Sequence, residues 1–536
     1  MRMRKFGFKI LYNKKKLFIL IVLLVVFSCT NVALFVLNPV QLYVEEIYFY
    51  DLNGNRMTGK YIKGSADQAV ILAPDKGQDM SYYLSVARVL NEQGYHVMFY
   101  DLPGQGRSQG AYTRSFYEDN SSAMQIYSAM LALSQLSKLP PANIHYVGHG
   151  FGARAVLQAR ALDYIQPASI TLINTEISFK STIFDGLPII VDDTQLPWIQ
   201  NLNTSVVNTN VGLVSTTKAD AENAVRLKEI LGGQNTVELF DGLAIVEAYA
   251  PLDKDVMHAI VSHIGSVSSL GGEMNTTKMT IYNVVLIWMG IGVFVLLWFI
   301  RKTLEKRREE EEKWYLVTLS WNFYFYKLLF WIPAVVIGAF GILTMYLVPI
   351  AFPVQAGMIS LLFGCYGIVM LGVYTYSDFA NDAGAGMFQD TDRSSWLTGV
   401  IIFIIAYILL KIFGYYGLYY MFPFGQRWIW LLIFAGFNSI PFLILDRELI
   451  VLDADRISKV KIVAVYILPF VIAAPFLALL GLQALAMGVF MGMVGLVAVI
   501  LFGRILEELD VQIIVAATLQ GVLFTMYLLS FGIMLN

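Results

Sequence analysis

From Thr280 to the C-terminus the chain is a succession of apolar runs, eight of them, centred near residues 290, 338, 367, 405, 437, 471, 493 and 522. Each approaches the ~20 residues that a helix needs to cross a bilayer. Inside hydrocarbon every backbone N–H and C=O must find a partner within the chain, so runs of this length are expected to be helices. The whole sequence is 57% hydrophobic and only 15% charged, where soluble domains carry roughly 25% charge. This excludes an ordinary cytosolic protein, a disordered chain and a nucleic-acid binder with a basic footprint. A ninth run, Leu17 to about Leu37, follows Arg2, Arg4, Lys5, Lys9, Lys14, Lys15 and Lys16. It exceeds the usual core of a signal peptide and ends without a small-x-small cleavage site, so it reads as an uncleaved anchor. Lipid attachment at Cys29 is disfavoured by the bulky Phe27 ahead of it.

Charge divides the chain into three segments. Residues 1–40 hold seven Lys/Arg and no acid (+7), residues 41–272 hold 15 Lys/Arg against 23 Asp/Glu (−8), and residues 273–536 hold 16 against 17 (−1), which sums to the overall −2. These are the expected domains: a basic N-terminus with its anchor, an acidic domain outside the membrane, and an eight-helix membrane domain. The positive-inside rule puts the N-terminal cluster, Arg301–Lys313, Arg393, Arg447, Arg456, Lys459, Lys461 and Arg504 in the cytoplasm. Only Lys278, Lys411 and Arg427 fall on outer flanks. The expected topology is a multi-pass plasma-membrane protein with residues 41–272 extracytoplasmic and the C-terminus outside. Cys29 and Cys365, the two cysteines, both lie in apolar runs. The acidic domain must therefore hold by core burial without a disulfide or a cysteine metal site, which suits a bacterial surface protein.

Between residues 41 and 272 strand-like and helical runs alternate. The expected strands are Tyr43–Tyr50, Gly59–Lys63, Ala69–Ala73, His96–Tyr100, Ile144–Gly148, Ser169–Asn174, Val211–Ser215 and Thr236–Phe240. Asn53-Gly54 supplies a hairpin turn between the first two. Helices are expected at Ser81–Gln93, Ser122–Leu136, Ala153–Leu162, Ala221–Leu231 and Asp253–Val267. Such alternation predicts an α/β domain with a mostly parallel sheet and helices on both faces.

The stretch His145-Tyr146-Val147 leads into Gly148-His149-Gly150-Phe151-Gly152 and then a helix. A strand, a sharp glycine-flanked turn and a helix form the nucleophile elbow G-x-S-x-G. Upstream, Tyr100-Asp101-Leu102-Pro103-Gly104-Gln105-Gly106-Arg107-Ser108 is similar to the D-x-x-G-H-G-x-S loop of the monoacylglycerol-lipase and serine-aminopeptidase branch of the α/β-hydrolases. The resemblance covers residues 43–265 and implies that fold. It implies no reaction, because the family's triad positions do not match. The nucleophile position is Gly150. The position of the base, in Phe240–Glu247, holds no histidine, with Ala244 about where it belongs. Asp220 fits the family's acid, and the family's His-Gly after the third strand is Asp75-Lys76-Gly77. Loss of the nucleophile or base costs on the order of 10⁶ in rate. The expected site therefore binds without catalysing, through Asp75, Lys76, His149, Gly150, Phe151 and Trp198. Asp220 is left as a residual acid, and His258 as the weak candidate for a relocated base.

The remaining signals have bland readings beside sharper ones. Asp378, Asp382, Asp390 and Asp392 could hold a cation but read as a solvated acidic loop. No metal or cofactor is expected. The run Arg301–Lys313 reads as a charged helical extension, with anionic lipid as an alternative contact. Asn283 and Asn438 are the polar residues at depth, and Lys327 and Lys411 sit near span ends. That scarcity of buried charge argues against an ion-coupled transporter but leaves a lipid translocator open. Ser178–Asn203 lies where the family inserts a lid, and its apolar side chains suit a lipid or acyl ligand. Three functions stand: a non-catalytic module bound to a ligand or to other membrane subunits, a membrane hydrolase with a rearranged site, and a translocator of lipid or another hydrophobic substrate.

Overall fold

In the computed structural model the described residues are 14–37, 44–76, 78–110, 121–177, 196–216, 218–233, 235–240, 247–270, 274, 276–304, 319–347, 352–380, 393–417, 427–451, 456–479, 483–530 and 534–535. They fall into two compact units. One is an α/β domain lying between Leu34 and Val284; the other gathers the helices from Val285 onward with most of the N-terminal helix α1 (Lys14–Leu37).

The α/β unit has eight strands: β1 (Glu45–Tyr50), β2 (Arg56–Ile62), β3 (Ala69–Ala73), β4 (His96–Tyr100), β5 (Ile144–His149), β6 (Ser169–Ile173), β7 (Asn210–Val214) and β8 (Thr236–Phe240). They form one sheet in the order β1-β2-β4-β3-β5-β6-β7-β8. The Asn53-Gly54 turn joins β1 and β2 as an antiparallel hairpin, β2 pairs antiparallel with β4, and every later pair is parallel. Every residue of β3, β4, β5 and β6 is buried. β3 is a continuous apolar run and the other three are mostly apolar, because helices cover both faces of a parallel sheet.

The helices of this unit are α2 (Leu84–Glu92), α3 (Ser121–Ser137), α4 (Phe151–Ala161), the short α5 (Pro197–Gln200) and α6 (Leu202–Ser205), α7 (Lys218–Leu231) and α8 (Lys254–Ser268). Val70, Leu72, Val97 and Phe99 join one core cluster with α2 and α8. The alternate residues Ile71, Met98 and Tyr146, also buried, point to the opposite face, because strand side chains alternate. Strand order reverses between β3 and β5, so the crevice of an α/β sheet opens at the carboxyl ends of these two strands.

The helical unit contains α9 (Thr276–Leu304), α10 (Trp321–Leu329), α11 (Trp331–Leu347), α12 (Val354–Ala380), α13 (Arg393–Gly417), α14 (Arg427–Val451), α15 (Arg456–Leu479), α16 (Gln483–Glu508) and α17 (Ile513–Ser530). Among the described residues seven segments are long and apolar enough to cross a membrane, with α10 and α11 reading as one of them. Nine spans are expected from the sequence. The other two fall on α1 and α13, whose apolar stretches Phe18–Thr30 and Ser394–Ile408 are shorter. Seven such helices are compatible with a multi-pass membrane protein.

The structure also revises the expectation of scarce buried charge. Helix α14 runs on to Val451, so Asp446 and Glu448 are helical and buried, and Lys327 is buried with them. The sequence hides this because the span and the charged stretch that follows it form one continuous helix.

Candidate functional site

The elbow is present in backbone and altered in chemistry. Gly150 links β5 to α4 at φ +51° and ψ −111°, a backbone that side-chain-bearing residues rarely adopt. Its N–H donates to Ile173 O at 2.8 Å, and its carbonyl accepts from Glu176 N at 3.1 Å. Both sides of the turn are thus pinned. The flanking glycines are there for close approach: a Cβ on Gly148 would overlap Ala153 backbone, and one on Gly152 would overlap the Ala73 and Pro74 carbonyls. For a Cβ on Gly150 the nearest atoms would belong to a side chain rather than to backbone. Such a Cβ would overlap the carboxyl group of Asp75.

Asp75 follows β3 and reaches across the switch point to the start of α4. Its Oδ1 accepts from the Phe151 backbone N–H at 2.8 Å, and its carboxyl also accepts from the Lys76 backbone N–H. In an elbow of this kind the N–H after the nucleophile is an oxyanion-hole donor. Here that donor, at the N-terminus of α4, already holds an anion-capable group of the chain itself. Burial pushes the Asp75 carboxyl above its ordinary range, and the charge of Asp220 pushes the same way; the Phe151 and Lys76 N–H groups and the Lys76 charge oppose the rise.

The Asp75 backbone is held from behind. Its N–H donates to Tyr83 Oη at 3.0 Å, and that hydroxyl lies 2.8 Å from both Gln78 Oε1 and His149 Nδ1. His149 is fully buried and turned toward Tyr83 and Gln78. Lys76 pairs with Glu176 and sits 5.7 Å from the centre of the Phe151 ring. Arg154 donates to Glu176 O at 3.2 Å and lies over the Trp198 ring at 5.5 Å. Asp75, Lys76, Gly150, Phe151 and Trp198 are therefore brought into one neighbourhood, with His149 beneath it. Asp220 stands in the first turn of α7, half-buried and within electrostatic reach of Asp75.

Glu176, Arg154, Gln78 and Tyr83 carry no motif, and sequence reasoning misses them. The Asp75-Lys76 replacement is the signal that could have led to Glu176. Ala244, residues 178–195 of the lid expected over Ser178–Asn203, and Asp382, Asp390 and Asp392 lie outside the described residues; the rest of that segment carries α5 and the start of α6.

The other histidines are placed away from the elbow. His258 is exposed on α8. His263 is buried, bonds Thr171 Oγ1 at 2.9 Å and is pushed down to about 4 by burial. His145 lies between Ser169 and Gln68, and burial holds it at about 4 as well. These are core histidines.

A second carboxyl lies close by. Asp101 is fully buried and accepts from Met80 N at 2.7 Å and Arg107 N at 2.9 Å, tying its loop to the entry of α2. Asp79 accepts from Ser81 N at 2.7 Å through Oδ1, while its buried Oδ2 has no hydrogen-bond partner. Burial, reinforced by the Asp101 charge, pushes Asp79 up to about 7.

Residues 64–201 match the family model described as Serine aminopeptidase, S33. Solved structures with similarity include that of DcsB in complex with its substrate analogue (14% identity, 42% of this chain and 99% of that one, TM-score 0.34). An esterase of Pyrococcus furiosus matches at 17% identity over 42% of this chain and 93% of that one, TM-score 0.34. A carboxylesterase study of Nitrososphaera gargenis gives 12% identity over 42% and 99%, TM-score 0.33. A comparison with curated proteins gives no match. The α/β unit has an α/β-hydrolase-like fold, and within it residues 64–201 match the serine aminopeptidase S33 family.

Proposed function

We propose that the α/β unit is a non-hydrolytic binding module of a multi-pass membrane protein, recognising a lipid or acyl ligand or another membrane subunit. One observation carries this reading: the Asp75 carboxyl sits where a side chain on residue 150 would begin and takes the Phe151 N–H. An Asp75 nucleophile is the obvious rival. It fails on the same geometry, because the group that would attack occupies the donor that must stabilise the resulting oxyanion. A serine hydrolase needs both a nucleophile at the elbow and a base, and the sequence supplies neither at the family's positions.

The test uses the full-length protein in mild detergent. A fluorophosphonate probe and a panel of short- and long-chain esters are expected to give no labelling and no turnover above the protein-free rate. Mass spectrometry of co-purifying material is expected to find a stoichiometric lipid or protein. Ester turnover at ordinary enzyme rates, abolished by Asp75→Asn, would overturn the proposal.

A further inference from the structure

Three helices of the second unit meet in a layered core. Phe363 of α12, Phe442 of α14 and Phe524 of α17 form a closed triangle, with ring centroids 5.3, 5.6 and 5.8 Å apart, all edge-on. On one side of it the same three helices contribute a polar layer: Asn438 Nδ2 donates to Ser360 Oγ at 3.0 Å and to Thr525 Oγ1 at 2.9 Å. On the other side, one turn along α14, Asp446 accepts from Gln520 of α17. Two residues further, Glu448 pairs with Lys327 of α10 and accepts from Tyr374 Oη of α12 at 2.6 Å. An aromatic layer thus separates two polar layers inside an apolar bundle.

Helix-to-helix adhesion is the plain alternative for such groups. It accounts for the bonds just named and leaves a remainder. Asn438 Oδ1 and Gln520 Oε1, flanking the triangle, are buried with no hydrogen-bond partner among the described residues. So are the hydroxyls of Tyr366 and Tyr466 and the indole N–H of Trp331. Trp331 stacks on Tyr366 at 4.1 Å, Tyr366 meets Tyr466 edge-on at 5.3 Å, and Lys327 Nζ lies 4.7 Å from the Tyr466 ring centre. Both tyrosines lie within electrostatic reach of Glu448. Unpaired polar atoms are costly in hydrocarbon. An isolated buried ion pair is also no better for stability than apolar residues of the same shape. Structure alone gives no reason to keep both in one core, whereas polar groups that exchange protons with water must keep lone pairs and donors available. Ionisable groups within membrane helices mark ion or proton routes.

We propose that the α12–α14–α17 core is a proton path in which Glu448 binds and releases the proton and the Phe363–Phe442–Phe524 triangle is the constriction. The chemistry balances as a transfer. A hydronium ion on the Tyr374 side breaks one O–H bond and becomes water as the Glu448 carboxylate forms one. Glu448 gives the proton up to a water molecule on the other side, its own O–H bond breaking as a hydronium ion forms. The groups facing Glu448 are Lys327, Tyr366, Tyr374 and Tyr466. Asp446 and Arg447 adjoin it on α14, and Arg504, paired with Glu507 on α16, lies within reach of Asp446.

The full chain is reconstituted into liposomes loaded with a pH-sensitive dye, and a potassium diffusion potential is imposed with valinomycin. The expected result is internal acidification faster than in protein-free liposomes. Glu448→Gln should lower the initial rate at least tenfold, Tyr374→Phe severalfold, and Phe363→Ala should raise it. Tyr374→Phe removes one hydroxyl only and serves if Glu448→Gln elutes as aggregate. A wild-type rate equal to that of empty liposomes overturns the proposal, and so does a rate unchanged in a well-folded Glu448→Gln or Tyr374→Phe protein.

Discussion

Substituting alanine for Gly150 tests the geometry of the elbow directly. Two penalties arise. Residue 150 sits at φ +51° and ψ −111°, and a non-glycine residue held in such a region is strained by about 1–3 kcal/mol. The new Cβ would also overlap the Asp75 carboxyl, which must swing away and abandon the Phe151 N–H; leaving that buried donor unsatisfied costs about 1–3 kcal/mol. Together Gly150→Ala should destabilise the α/β unit by about 3–5 kcal/mol. At 2–4 °C per kcal/mol for a domain of this size, its melting transition should fall on the order of 10 °C. The assay is scanning fluorimetry of the full-length protein in detergent, with the transition assigned to the α/β unit by hydrogen exchange of β3 and β5. The decisive step is a double-mutant cycle with Asp75→Gly. Removing the carboxyl removes the overlap, so the pair should be more stable than the sum of the singles by about 2 kcal/mol. A Gly150→Ala loss below about 1 kcal/mol, or an additive cycle, would refute the placement of Asp75 at the elbow.

Three further outcomes follow from the same geometry. Asp79 is held near 7 in the folded domain against an unperturbed 3.8, so the folded state keeps a proton that the unfolded chain releases. Its contribution is therefore most favourable below about 4, and stability falls as pH rises from about 4 to about 7, by up to about 1.4 kcal/mol per pH unit. In Asp79→Asn this slope should flatten in urea titrations across that range; an unchanged slope would show that another group is responsible. The Lys76–Glu176 pair is partly exposed, with Glu176 at 35%, so Glu176→Gln should shift stability by less than about 1 kcal/mol, and a larger loss in chemical denaturation would contradict that. Asp75→Gly with Gly150→Ser puts a hydroxyl back at the elbow without a base at the family's position; its ester hydrolysis should stay within about tenfold of the wild-type background, because a triad lacking its base forfeits about 10⁶.

The strands were legible because their chemistry is local. The apolar runs of β3, β4 and β8 end at turn residues, and their bounds match the expectation residue for residue. The helix expected from Ser81 begins instead as a 3₁₀ turn, Met80–Tyr83, because Asp79 caps Ser81 N. The Gly148–Gly152 signature located the elbow, since only glycines tolerate those approaches. What it could not reveal is that Asp75, 75 residues upstream of Gly150, points its carboxyl into the turn: that contact depends on β3 lying beside β5 in the sheet. The Lys327–Glu448 pair was illegible for the same reason. It joins α10 to α14 across 121 residues, and each partner on its own reads as a charge at the end of a span.

Gly150 and Asp75 act as one unit, because a side chain on residue 150 and the Asp75 carboxyl would claim the same volume. An oxyanion hole is a set of backbone donors at a helix N-terminus, and such a site favours negative charge whether or not a substrate is present. With a serine at the elbow the donors face a transient anion and are otherwise wet. With glycine the space of the Cβ is free, and a carboxyl from the neighbouring strand end can enter and satisfy them permanently. The entry is self-consistent only if residue 150 has no side chain, because the two groups compete for the same volume. Burial opposes the charge on Asp75 while the Phe151 and Lys76 N–H groups favour it, so the contact remains bonded through Oδ1 in either protonation state. A site built this way cannot be restored to hydrolysis at position 150 alone: a serine there meets Asp75 first. In this geometry the elbow joins β3 to α4 through the Asp75 carboxyl and the Phe151 N–H.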